Sequence, residues 1–392
     1  MAYRPAHNLA LLRRGRRFRP GPAVWLALLL LPAAVSAMTE AELRETLAGY
    51  LAHPALRGAQ CACVVRTLAD PESLYSTHGL QPLIPASQVK LLVSATAVQL
   101  FGPGYTYGAS AWSSVPLGQD GKLSGDLYLE GSADPTASES LARGLAEDLQ
   151  RRGLRAVSGN VVGVGPLLAY DPDHGLSGAR RLYQALGDLG VSVGGAPREN
   201  GSAPASVLLG RHTTLTLAEY LRRVNKHSDN SAAERLLRSL LARFDDPAAP
   251  DRGYMLRYWT YQGLDTAGTT LADGSGYSRD SRLTAGLLVN VLQRVGRGAE
   301  AYRALSRSLP VAGGDGTLAD RMQGTAAQGR VRAKTGTLPQ VSCLSGYVED
   351  EGEARLVFSL LMNDFSCPVA TTHRIQDEMA IAMAKYVRDA ED

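Results

Sequence analysis

The sequence predicts an α+β protein. One antiparallel sheet, assembled from both ends of the chain, is flanked by helices, with a helical region in the middle and a small strand-rich insert. Three observations lead to that class. Short β-rich runs lie near the start, at 61–67 and 73–76, and return only near the end, at 330–334, 341–349 and 354–361. Segments with helical apolar period dominate 177–295. Between them, 103–165 is strand-rich around one helix, which reads as an insertion.

The elements follow in chain order. Residues 1–37 carry six arginines (Arg4, Arg13, Arg14, Arg16, Arg17, Arg19) and no acid, then an apolar run at 23–31 and the small residues Val35-Ser36-Ala37. That pattern is a secretory signal peptide with its cleavage site, implying an exported and most plausibly periplasmic protein. The apolar run is shorter than the roughly 20 residues a spanning helix needs, so no stable transmembrane anchor is expected. Thr39 and Glu42 form a capping box that opens a helix to about 51, before the first two strands. Pro85 introduces a helix over 86–101, which Gly102-Pro103 stops. In the insert, strands at 122–130 and 157–164 surround a helix at 139–152. Helices are then expected at 177–189, 215–226, 231–244, 254–261 and 284–295. A tight acidic turn at 350–353 joins the last two strands, and a helix over 371–387 closes the chain. The division is a signal peptide (1–37), a main domain (38–102 with 169–392) and an insert (103–168).

The 392 residues are 45% hydrophobic and 20% charged, which excludes disordered, collagen-like and coiled-coil chains. Net charge is +3, but all six leader arginines leave with the leader, so the remainder has 35 basic against 38 acidic residues, or −3. The basicity therefore argues for no nucleic-acid partner. Cys61, Cys63, Cys343 and Cys367 read as buried thiols or one structural disulfide, with the pairing open. No C-x-x-C, H-E-x-x-H, G-x-S-x-G, phosphate loop or complete dinucleotide loop occurs, so neither a metal nor an organic cofactor is expected.

Lysine usage points to the chemistry. Only five lysines occur (Lys90, Lys122, Lys226, Lys334, Lys385) against 36 arginines, and arginine cannot lose its proton in a protein. Ser87 and Lys90 stand three apart at a helix start, where they share a face and where backbone N–H groups favour developing negative charge. Ser228-Asp229-Asn230 lies in a turn between two helices. Lys334-Thr335-Gly336-Thr337 ends a strand, with a cation and hydroxyls suited to a carboxylate and a glycine permitting close approach. Each motif alone has a bland explanation: a surface pair, a helix cap, an edge strand. Their shared order and context outweigh those.

S-x-x-K, S-D-N and K-T-G in this order resemble the active-site serine penicillin-binding proteins and class A β-lactamases. The intervals are 141 residues from Ser87 to Ser228 and 106 from Ser228 to Lys334. The first is too long for a class A β-lactamase, and no glutamate has an asparagine four positions later. The wording is similar to the penicillin-binding-protein-4 class of D-alanyl-D-alanine carboxypeptidases/endopeptidases. It includes Pro85-Ala86-Ser87-Gln88-Val89-Lys90, Asn225-Lys226-His227-Ser228-Asp229-Asn230 with Ala233-Glu234, and Asp273-Gly274-Ser275-Gly276-Tyr277-Ser278-Arg279-Asp280. It also includes Gly313-Gly314-Asp315-Gly316-Thr317-Leu318 and Ala133-Asp134-Pro135-Thr136 of the insert. A nested domain of the family's insert is missing, and Pro339-Gln340 departs from the family's usual wording.

The resemblance implies a β-lactamase/transpeptidase-like fold and a serine-type D-Ala-D-Ala carboxypeptidase with possible endopeptidase activity. Its partners would be peptidoglycan stem peptides, and β-lactams would inhibit it covalently. Ser87 would be the nucleophile, Lys90 its base, and Ser228 with Asn230 the proton relay. Lys334, Thr335, Gly336 and Thr337 would hold substrate, and Asp134 and Arg279 would read the stem-peptide side chain. An exported serine β-lactamase and a catalytically silent peptidoglycan-binding module are the alternatives.

Overall fold

The computed structural model describes residues 38–386 except 137–139, 201, 203–205, 245–250 and 351. The signal-peptide reading of 1–37 lies outside the described residues. Helix α1 (Glu40–Leu51) precedes β1 (Gln60–Thr67) and β2 (Ser73–Thr77), followed by α2 (Val89–Phe101). Next come β3 (Thr106–Ser113), β4 (Lys122–Leu123), β5 (Leu127–Gly131), α3 (Ser140–Arg151), β6 (Ala156–Val157) and β7 (Val161–Val164). Then α4 (Leu176–Asp188), β8 (Ser192–Val193), β9 (Pro197–Glu199) and β10 (Val207–Thr216) lead to α5 (Leu217–Lys226) and α6 (Asn230–Phe244). The rest is α7 (Tyr254–Tyr261), α8 (Ala285–Gly296), α9 (Ala299–Ser306), β11 (Val331–Leu338), β12 (Val341–Asp350), β13 (Glu353–Asn363) and α10 (Val369–Lys385).

Both chain ends build the main sheet, ordered β11-β12-β13-β1-β2 and antiparallel at every pairing. Its central strands are covered on both faces, which explains why the sequence at 61–65 is apolar without alternation. Ala62 and Val64 pack into one core with α2, α5, α6 and α8, while Cys63 and Val65 point the other way, against α1 and α10. Thr39 does close the capping box with Glu42 that starts α1.

Helix α2 is buried over ten consecutive residues, Val89–Val98. A helix apolar on all sides has no surface to offer water, so it runs through the core with helices around it. Each fully buried Leu on it, such as Leu91 or Leu92, contributes about 1.5–3 kcal/mol. Lys90, in its first turn, is thereby dehydrated along with its neighbours.

A second core lies under the sheet β10-β3-β5-β7-β9, covered by α3 and α4. Helix α4, assigned by sequence to the main domain, buries Ala179, Leu182 and Leu186 in this second core, and β10 pairs with β3. The inserted sheet and its core thus extend to Thr216. Strand β10 was missed because its partner is about a hundred residues away and its sequence shows no clean alternation. Helix α9 was missed as well.

Two further corrections concern the motifs. The helix expected at 86 begins as a 3-10 turn, Ala86–Gln88, with Ala86 at φ +47°, and becomes α-helical at Val89. The strand expected to end at 334 continues to Leu338, so Lys334-Thr335-Gly336-Thr337 lies within an edge strand. All four cysteines are free thiols. Burial pushes Cys61 up to about 11, leaving it protonated and unreactive at neutral pH.

Candidate active site

The three motifs meet where α2, the α5–α6 turn and β11 converge. Lys90 Nζ lies 2.9 Å from Ser87 Oγ, 2.8 Å from Asn230 Oδ1 and 2.5 Å from the Ser275 carbonyl. Ser228 Oγ is 3.3 Å from Ser87 Oγ, and Lys334 Nζ donates to Ser228 Oγ at 3.0 Å and to the Thr335 carbonyl at 2.8 Å. A continuous chain therefore runs Lys90–Ser87–Ser228–Lys334. Both lysines are fully buried, whereas Ser87 and Ser228 are half-buried and reachable.

Backbone geometry sets this arrangement. Ser228 adopts φ +54°, a left-handed conformation costing a non-glycine residue about 1–3 kcal/mol. Asp229 holds the turn by accepting from the Ala232 N–H and the Arg223 guanidinium. Gln88 donates to the Lys334 carbonyl at 2.8 Å, tying the Ser87 turn to β11. Thr335 Oγ1 meets Thr317 Oγ1 at 2.7 Å, and Thr337 Oγ1 lies 3.5 Å from His373 Nε2.

The third neighbour of Lys90 is held from behind. Glu234 accepts from the N–H groups of Gly274 and Ser275, and Asp273 accepts from those of Gly276 and Ser278. Sequence reasoning quoted this segment without giving Glu234, Asp273 or Ser275 a place in the site; Asp-Gly-Ser-Gly was the available signal. Gly276 sits at φ +74°, and a Cβ there would fall 1.8 Å from the Ala86 carbonyl oxygen. Gly276→Ala should thus push the loop off the Ser87 turn and withdraw the Ser275 carbonyl from Lys90. At about 1–3 kcal/mol of strain, acylation is expected to slow by roughly tenfold or more, with a lower melting temperature. Acylation rates and thermal melts check this, and unchanged values would show that the loop is dispensable.

Burial makes the neutral amine easier to reach. Burial lowers Lys90 to about 8, against the opposing pull of the Asp273, Glu234 and Asp229 carboxylates. Burial, with the Lys90 charge beside it, also drives Lys334 well below the ordinary lysine range. A neutral amine has two N–H bonds and one lone pair. The ammonium donates to Ser87 Oγ, Asn230 Oδ1 and the Ser275 carbonyl; once neutral, with the last two keeping its two hydrogens, its lone pair would face the Ser87 hydroxyl. The arrangement can deprotonate Ser87 without a histidine.

Ser87, Lys90, Ser228, Asn230, Lys334, Thr335, Gly336 and Thr337 are thus gathered as expected from sequence. Arg279 is exposed near the strand end, donating to the Pro339 carbonyl at 2.9 Å. Asp134 does not join them. It is 0% exposed, and its carboxylate accepts from the Thr136 N–H at 2.7 Å and the Thr214 hydroxyl at 2.5 Å. These two bonds fix the edge of the inserted sheet, and reading of the stem-peptide side chain by Asp134 stays a proposal.

An antiparallel sheet backed by helices, with a Ser/Lys turn facing a strand-borne lysine, is the arrangement of a serine-type penicillin-binding carboxypeptidase. The family model for D-Ala-D-Ala carboxypeptidase 3 (S13) matches residues 43–166 and 170–386, and the chain belongs to that family. The D-alanyl-D-alanine carboxypeptidase of Actinomadura sp. (strain R39) is 30% identical, over 88% of this chain and 85% of that protein. In three dimensions the chain is similar to penicillin binding protein 4 from Haemophilus influenzae (TM-score 0.62, 18% identity, 87% of this chain and 99% of that one). It is similar to that protein's complex with a β-lactam as well (TM-score 0.61, 17% identity, 87% and 100% covered).

Proposed function

We propose that this protein is a serine-type D-Ala-D-Ala carboxypeptidase acting on peptidoglycan stem peptides through an acyl-serine intermediate. The observation that carries the reading is Lys90 Nζ at 2.9 Å from Ser87 Oγ, buried, depressed to about 8, and with its other two hydrogen-bonding directions occupied. Lys90 takes the Ser87 proton as Oγ attacks the carbonyl of the penultimate D-alanine. Backbone N–H groups of Ser87 and Thr337 hold the oxyanion, each such donor being worth about 3–4 kcal/mol. Lys334, with Thr335 and Thr337, receives the terminal carboxylate, whose charge favours the protonated ammonium that burial otherwise disfavours. Gly336 lies where a side chain would crowd the Ser87 N–H, with a Cβ there 3.2 Å from that nitrogen. Ser228 passes a proton to the departing D-alanine, Asn230 steadies Lys90, and water then releases the acyl group. Cross-link cleavage uses the same intermediate, so endopeptidase activity is compatible with the site. A β-lactam mimics the terminal dipeptide and traps Ser87 covalently.

Export across a membrane, after removal of 1–37, completes the reading; no described helix is long and apolar enough to cross a membrane. The test is incubation with labelled penicillin and mass mapping of the adduct. A stable adduct on Ser87 is expected. Rapid release of hydrolysed penicillin instead would mean a β-lactamase, and binding of muropeptides without turnover would mean a silent module.

The lysine shift predicts a pH profile. The neutral, basic form of Lys90 becomes commoner as pH rises through about 8, so the acylation rate should climb with pH and level off above that value. Stopped-flow acylation across that range measures it, and a rate that falls on crossing pH 8 would refute the amine as base.

A further inference from the structure

A cavity of about 740 Å³ opens between α5 and α9, beside Pro103-Gly104, and its lining does not include Ser87. Arg222 of α5, Arg303 of α9 and Arg307, the residue that caps the end of α9, line it, the last two four positions apart. None of these three guanidinium groups has a hydrogen-bond or ion-pair partner among the described residues, and all three residues are exposed.

The other two cations of the lining are paired. Lys226 pairs with Asp315 and donates to the Leu309 carbonyl at 3.1 Å, and Arg332 pairs with Glu349 at 2.6 Å. Glu219 is occupied by the N–H and hydroxyl of Thr216. Glu300 is the one acid of the lining with no partner of its own among the described residues. Glu219 keeps its negative charge within electrostatic reach of Arg222, so the three guanidinium groups face two carboxylates, Glu219 and Glu300, around an open space. Nothing in the proposed reaction uses them.

We propose that this cavity is an anion-binding site, distinct from the Ser87 cluster, that takes a phosphate ester. A guanidinium presents its N–H groups as a planar fork that matches two oxygens of a phosphate, and the three guanidinium groups outnumber the two carboxylates that face them. The Lys226–Asp315 and Arg332–Glu349 pairs tie the floor of the cavity to the strand and loop behind it. The phosphate can arrive as the free ion or as repeated units of a phosphodiester polymer.

The experiment is equilibrium dialysis of the full chain with radiolabelled inorganic phosphate, and separately with a glycerol-phosphate oligomer, at constant ionic strength set by chloride. Saturable binding of at least one probe is expected. Arg303→Gln combined with Arg307→Gln should weaken it by roughly tenfold or more while penicillin acylation of Ser87 stays unchanged. Should that double variant fail to acylate, Arg222→Gln carries the same criterion. Preference for the oligomer at equal phosphate concentration identifies a polymer, and equal affinity identifies the free ion. The proposal is overturned if neither probe binds, if the variants bind as well as the parent, or if polyglutamate binds as tightly as the phosphate oligomer. Because acylation is read independently, failure here leaves the carboxypeptidase reading standing, and failure of that reading leaves this one testable.

Discussion

Ser87→Ala protein is expected to take up no labelled penicillin and to lose D-alanine release by a factor on the order of 10⁴ or more. The substitution removes one oxygen from a half-buried side chain and leaves Lys90, Ser228 and Lys334 in place, so melting should change little. No second hydroxyl substitutes for it. Ser228 Oγ, the nearest, stands 3.3 Å away from Ser87 Oγ and is engaged by Lys334 rather than by Lys90. Mass spectrometry of the treated variant decides the matter: an adduct at parental level would place the nucleophile elsewhere.

Lys90→Arg should acylate more slowly by a factor of about 10²–10⁴, although it retains a positive charge. A guanidinium keeps its proton at any working pH and has no lone pair to offer the serine. It is also too wide for a fully buried position with fixed neighbours on three sides. The companion variant Lys90→Met, close in length and uncharged, separates the two explanations. A base is lost equally in both variants, whereas a purely electrostatic role would survive in Lys90→Arg alone. Single-turnover acylation, with thermal melts to verify folding, makes the comparison. Substantial acylation by Lys90→Arg would rule out the amine as base.

How much was legible in the sequence varied with the range of the interactions involved. Ser87-x-x-Lys90 could be read because helical geometry alone brings residues three apart together. The scarcity of lysine singled out Lys90 and Lys334 before any contact was known. Local signals also marked α1, through its capping box, and α7, whose bounds match the expected ones. By contrast, the Ser275 carbonyl reaches Lys90 across 185 residues, and Gln88 reaches Lys334 across 246. No periodicity encodes such contacts. Asp134 is a further case: its local wording suggested a recognition residue, and its bond to Thr214, 80 residues on, could not be read from the sequence. The affiliation of α4 was illegible for a similar reason, since an amphipathic helix shows that it has a partner but not which sheet that partner is.

The sequence by itself determined the kinds of groups available and their order: two serines, two retained lysines, an asparagine, and a helix that must run through the core because it is apolar all round. Only the tertiary structure decided the protonation state and aim of those groups. Basicity in an amine depends on how much water surrounds it and on which acceptors take its hydrogens. Both are set by segments far apart along the chain, and they come together only when the sheet closes against α2.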